Sequence, residues 1–234
     1  MANAHTVETK LLNYSHPAVQ SFIAKRGWKT MPQDKATEQI YYYVRDELPF
    51  GYNSADALQA SAILADGYGQ CNTKGIVFMA LLRAIGVRCR LHGFTIAKPL
   101  QKGALSGLAY LLSPSEIIHS WVEVYMGGRW INVEGFIIDR PYLKQLQQKF
   151  PQSQGAFCGY GVATLNFLDP PIDWSGDSTY IQKEGIVQDF GTFDSPDDFF
   201  AHHHQQLSPL KRLAFQIYAR PSMNRNVRRI RDGA

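Results

Sequence analysis

Apolar residues recur at helical spacing through the first third of the chain and at alternating spacing in its centre. Val19, Phe22 and Ile23 follow Ser15-His16-Pro17, where a cap residue and a helix-opening proline coincide, and the run stops at Gly27. Asp34 is expected to cap a second helix that carries Ile40, Tyr43 and Val44 and stops ahead of Pro49. Ser54 is expected to open a third, with Leu58, Ala62 and Ile63, ending near Gly67. Gly67-Tyr68-Gly69-Gln70 then reads as a turn, and residues 71–86 as a helix closed by Gly86. Cys71 therefore stands at a helix N-terminus.

After Gly86 the period changes to two: Val87, Cys89 and Leu91 alternate with Arg88, Arg90 and His92. Segments 117–125 and 129–138 are rich in β-branched and aromatic residues and flank Tyr125-Met126-Gly127-Gly128-Arg129, a hairpin turn. Further on, 141–150 reads as a short helix, 155–161 as a glycine-rich loop, and Ser195-Pro196 and Ser208-Pro209 as helix starts. Helices, then a helix-and-sheet centre, then a mostly helical last third predict an α+β fold. The expected organisation is one domain over residues 1–234, with its core at about 60–140, a helical segment 1–60 before it and the mostly helical segment 141–234 after it.

The chain of 234 residues is 45% hydrophobic, which suffices for a sizeable core. Charged residues are 19% and the net charge is +4, which excludes a charged disordered chain and gives no reason to expect nucleic acid as a partner. The charge is uneven: seven Lys and Arg follow from Lys211 onward against Asp232, while eight acidic residues between Asp169 and Asp198 face only Lys183. The basic tail is read as a surface helix near that acidic stretch in preference to a polyanion-binding arm. Cys71, Cys89 and Cys158 show no Cys-x-x-Cys spacing, so neither a disulfide framework nor a zinc ribbon is indicated. No signal peptide, membrane span or membrane partner is read, and a cytoplasmic location is expected. His202-His203-His204 in a helix would point apart, and Asp169, Asp173 and Asp177 do not match a calcium loop, so neither a metal nor an organic cofactor is expected.

A helix N-terminus stabilises a thiolate through its unpaired N–H groups and the positive end of the helix dipole. Cys71 has that placement, with Lys74 one turn on as a source of positive charge. A nucleophilic thiol also needs a base, and the base an orienting group. If a two-residue loop closes the hairpin, His119 and Glu134 share a face, as diagonal neighbours with the loop at Gly127-Gly128 or directly opposite with it at Met126-Gly127. Asp139 has the wrong parity for that face. Cys158 has neither a helix start nor a nearby base.

The motifs G-Y-G-Q-C-N-T-K, L-L-R-A-I-G-V-R-C-R-L and H-S-W-V-E-V-Y-M-G-G-R-W-I-N-V-E-G resemble the core of the transglutaminase-like superfamily, related in architecture to papain-like cysteine proteases. The resemblance covers residues 60–140. It implies Cys71 as the nucleophile on a central helix packed on an antiparallel sheet, His119 as base and acid, and Glu134 as the orienting carboxylate, where the family usually has Asp followed by Pro. It further implies acyl transfer from an amide- or thioester-bearing peptide or small molecule through a thioester, resolved by an amine or by water. The Cys71 N–H is a natural oxyanion donor, Gln70 or Tyr68 candidates for a second, and Lys74 and Trp121 further candidates around the thiol. The rival readings are a catalytically silent module that binds a peptide or other partner in the Cys71 cleft, and a scaffold whose tail recruits polyanions.

Overall fold

The computed structural model describes residues 3–105, 107–205 and 208–233. Helix α1 (Pro17–Arg26) opens at the expected proline, with His16 rather than Ser15 as its cap, and closes on Gly27. α2 (Gln33–Tyr42) begins behind Pro32, leaving Asp34 inside its first turn, and continues into a π-helical turn, Tyr43–Glu47. The third helix, α3 (Ala60–Asp66), starts well after Ser54. Its expected first turns are irregular because Asn53 and Asp56 spend their side chains on partners in 66–72. Short polar side chains that can bond nearby chain compete with helix formation in this way.

α4 (Cys71–Ala84) is the centre of the molecule: every residue from Cys71 to Arg83 is buried. A helix that is covered all round is a core helix. It packs against α2, α3, β1 (Cys89–Ala97) and β2 (Glu116–Met126); the short α5 (Gly107–Leu112) lies between those strands in the chain, and β3 (Arg129–Val133) follows β2. Met126 pairs with Arg129, so a two-residue loop closes the hairpin. Gly127 and Gly128 both have positive φ, 56° and 80°, which a loop of that length and twist requires. β3 is shorter than the expected 129–138, because Phe136, Ile137 and Ile138 leave the sheet to be buried, with Phe136 against Phe78 of α4.

α6 (Arg140–Lys149) is capped by Asp139. The last third is less helical than expected. It contains a small hairpin, β4 (Phe157–Gly159) and β5 (Val162–Thr164), and a long strand, β6 (Ile186–Phe193), before α7 (Pro196–His202), α8 (Pro209–Ala214) and α9 (Arg220–Arg231). β6 joins β1 to complete an antiparallel sheet of order β3-β2-β1-β6. As an edge strand with no buried residue and broken by bulges, it lacks the alternation that marks a half-buried strand. The fold is thus α+β, a central helix with an antiparallel sheet.

Only His202 of the three consecutive histidines lies within α7; His203 stacks on Phe190 and Phe199. Nor, among the described residues, does the basic tail form an ion pair with the acidic stretch. α9 buries Met223, Val227 and Ile230, and its Arg231 binds Asp139 and the Phe50 carbonyl. The acids pair elsewhere: Asp173 with Arg45 and Arg140, Asp177 with Arg129, Asp189 with His92. Among the described residues no helix is long and apolar enough to cross a membrane, and no group of three His, Cys, Asp or Glu is placed to hold a metal ion.

Candidate active site

Gln70 is the N-cap of α4 and makes a reciprocal capping box with Thr73, so the helix begins at Cys71 by local chemistry. That box consumes the Thr73 amide, and the Lys74 amide bonds back to the Gln70 carbonyl. The amides of Cys71 and Asn72 donate to no other group among the described residues. Two free N–H groups therefore mark the start of the helix, beside the thiol.

His119 lies on β2, diagonal to Glu134 across the hairpin, as the register with the loop at Gly127-Gly128 dictates. Its Nε2 meets Glu134 Oε1 at 2.9 Å, and neither side chain has any exposed surface. The other Glu134 oxygen accepts from three consecutive amides, Ile181 (2.9 Å), Gln182 (2.8 Å) and Lys183 (3.1 Å). A carboxylate bound by three amides and an imidazole is fixed in place.

The remaining ring nitrogen, Nδ1, is buried and makes no hydrogen bond of standard geometry. Besides Glu134, the group that acts on this ring is Cys71. Burial opposes protonation of His119, but the thiolate of Cys71, by its charge and its pull on the ring proton, and the Glu134 carboxylate outweigh it and push the ring up to about 10. Imidazolium is thus the form the site favours. Cys71 itself is 9% exposed. The other thiols lack such surroundings: burial pushes Cys89 up to about 11, and Cys158 is also raised by burial.

The flanking candidates fare differently. Gln70 is committed to structure, its Oε1 accepting from the Asn53 amide and its Nε2 donating to Asp56 at 3.2 Å, so it is not free to hold an oxyanion. Lys74 points away from the thiol: its Nζ donates to the carbonyls of Arg45 and Ile137 and is fully buried. Tyr68 packs its ring against Gly51 while its carbonyl takes Asn53. Trp121 shares the His119 face of β2 and packs on Phe94 and Tyr180, its indole N–H buried without a partner. Asn72, Asp56 and Tyr52 were not singled out from the sequence. Tyr52 is close enough for Cys71 to act on it electrostatically; burial first, then Tyr142 and Cys71, hold its phenol protonated. The one sequence signal available was the polar run Asn53-Ser54-Ala55-Asp56, which reads equally as a helix cap.

The family model of the transglutaminase-like superfamily matches residues 20–135. Residues 20–135 belong to the transglutaminase-like superfamily. The matched stretch takes in α2 and α3 and closes on Glu134-Gly135, with Cys71, His119 and Glu134 inside it. At the place of the usual proline, a Cβ on residue 135 would lie 2.9 Å from the Ile172 backbone and 3.0 Å from Thr179, so glycine is required where the segment that holds Glu134 crosses. Among solved structures, a chain from Cytophaga hutchinsonii named as a candidate cysteine protease is similar, with 14% identity, a TM-score of 0.39, and coverage of 85% of this chain and 52% of that one. The chain thus spans about half the length of that structure. A comparison with curated proteins finds no match.

Proposed function

We propose that the protein is a cysteine-dependent acyl-transfer enzyme in which Cys71, His119 and Glu134 act as nucleophile, acid-base and orienting group. The observation that carries this reading is the His119 ring, held by Glu134 at Nε2 and left with Nδ1 for Cys71.

In the first half-reaction the Cys71 thiolate attacks the carbonyl carbon of an amide or thioester, and the C–S bond forms as the carbonyl π electrons move to oxygen. The free amides of Cys71 and Asn72 are the donors for that oxyanion, in place of Gln70. His119 gives its Nδ1 proton to the leaving amine or thiol as the bond to it breaks, leaving a thioester on Cys71 and a neutral ring. In the second, water or an amine gives a proton to Nδ1 as it attacks the thioester, and the product leaves as the thiolate and imidazolium are restored. Glu134, anchored by three amides, keeps Nε2 protonated and the ring aligned throughout.

The test is iodoacetamide labelling across pH, with the modified cysteine mapped by mass spectrometry, in the wild type and His119→Ala. Fast labelling confined to Cys71 and persisting into mildly acidic solution, lost in His119→Ala, is expected. Slow labelling spread over Cys71 and Cys158 and indifferent to His119 would overturn the reading and leave the silent binding module in its place.

A further inference from the structure

Two polar clamps surround the thiol and the imidazole. Asn72, 1% exposed, accepts at Oδ1 from Ser120 Oγ (2.9 Å) and donates through Nδ2 to the Ile118 carbonyl (3.2 Å), the two residues on either side of His119. Asp56 Oδ1 accepts from Gln70 Nε2 (3.2 Å) and Asn72 Nδ2 (3.1 Å), the two residues on either side of Cys71. Asn72 is common to both clamps. Its orientation is forced, because a flipped amide would set its oxygen against a carboxylate and a carbonyl. Elsewhere the helix and the strand meet through apolar contact such as Gly75 on Val122, which holds them together but tolerates sliding.

Resting on the acyl-transfer reading, we propose that Asn72 is a positioning residue that sets the distance between the Cys71 thiol and the His119 ring, with Asp56 as its anchor. Neither touches a reacting bond through its side chain. Directed hydrogen bonds from one amide to both flanks of the imidazole fix what packing alone leaves loose, and a misplacement of about 1 Å at a reacting pair costs on the order of 100-fold in rate.

Asn72→Asp keeps the size of the side chain and turns both Nδ2 bonds into repulsions. It is expected to lower kcat for hydrolysis of an aryl thioester about 100-fold with KM changed less than about threefold, and to abolish the His119-dependent labelling of Cys71 in mild acid. Asp56→Asn retains a carbonyl oxygen for both donors and is expected to stay within about threefold of wild type, whereas Asp56→Ala reproduces the loss. Should Asn72→Asp fail to fold, the two Asp56 variants and Ser120→Ala, each checked by circular dichroism and melting, carry the test. Folded Asp56→Ala and Ser120→Ala proteins with the wild-type kcat and labelling profile would overturn the proposal. Failure of the acyl-transfer reading has a different signature: the wild type itself shows no His119-dependent labelling.

Discussion

Two buried charged clusters lie one turn apart on the same helix, and they do opposite things with their burial. At Cys71, His119 has no exposed surface, is pushed up to about 10 against the cost of burial, and keeps one nitrogen without a fixed bond. At Lys74 the amine is equally buried and pushed down to about 7 by burial, with Asp139 and Asp46 only partly offsetting it. Its Nζ nevertheless donates to two carbonyls, at 3.1 and 2.9 Å. Around it Arg45 binds Asp46, Asp173 and the Ile172 carbonyl, and Asp139 binds Arg231 and the amides of Phe50 and Tyr142. A shifted titration therefore does not single out the reactive cluster, since structural networks shift their members too. The bonding of the two differs: beside Cys71 stand a bare Nδ1 and two free amides, whereas Lys74 is a tightly bonded strut.

The sharpest way to break this contrast is Cys71→Ala, which should remove acyl transfer to background, a fall of at least about 10⁴-fold, in a protein that circular dichroism shows still folded. Glu134→Gln comes next. Turnover should fall about 10³- to 10⁴-fold, and because the carboxylate raises the ring, the alkaline limb of kcat/KM should move from near 10 to lower pH. Lys74→Met, by contrast, should leave turnover within about twofold.

That variant has its own signature in stability. The depressed amine contributes stability that is present above its ordinary value near 10.5 and lost as pH falls through about 7. Urea titrations should therefore find Lys74→Met losing stability relative to wild type as pH rises from 7 to 10, by up to about 1.4 kcal/mol per pH unit. The smallest effect is expected at Arg231→Ala, about 1–3 kcal/mol in the same titrations, since Asp139 keeps its two amide donors.

The placement of Cys71, His119 and Glu134 was legible in the sequence because period and parity are short-range facts. Glycines before a helical run put Cys71 at a helix start, and a two-residue loop put His119 and Glu134 on one face. What local pattern does not carry is the partner from far along the chain. Lys74 looked like a neighbour of the thiol, but Arg45 and Ile137, distant in sequence, claim it. β6 was missed because an exposed, bulged edge strand gives no alternation to read. Ser54 failed as a helix cap because Asn53 and Asp56 had better partners around the turn before Cys71. The amides of residues 181–183 that fix Glu134 carry no side-chain signal at all.

The docking of α9 has a consequence in time. Asn224 brackets both backbone groups of Tyr52, Gln216 holds the Ser54 carbonyl, and Arg231 ties Phe50 to Asp139, so the wall beside the thiol leans on chain that emerges from the ribosome last among these elements. Glu134 leads Arg231 by roughly 100 residues, which at about 5–20 residues per second means roughly 5 to 20 seconds of translation. During that interval the nascent chain already carries Cys71, His119 and Glu134, while the segment 50–56 is still unbraced. The segment beside Cys71 thus gains its brace only after Arg231 has been made, and the thiol meets its final surroundings late.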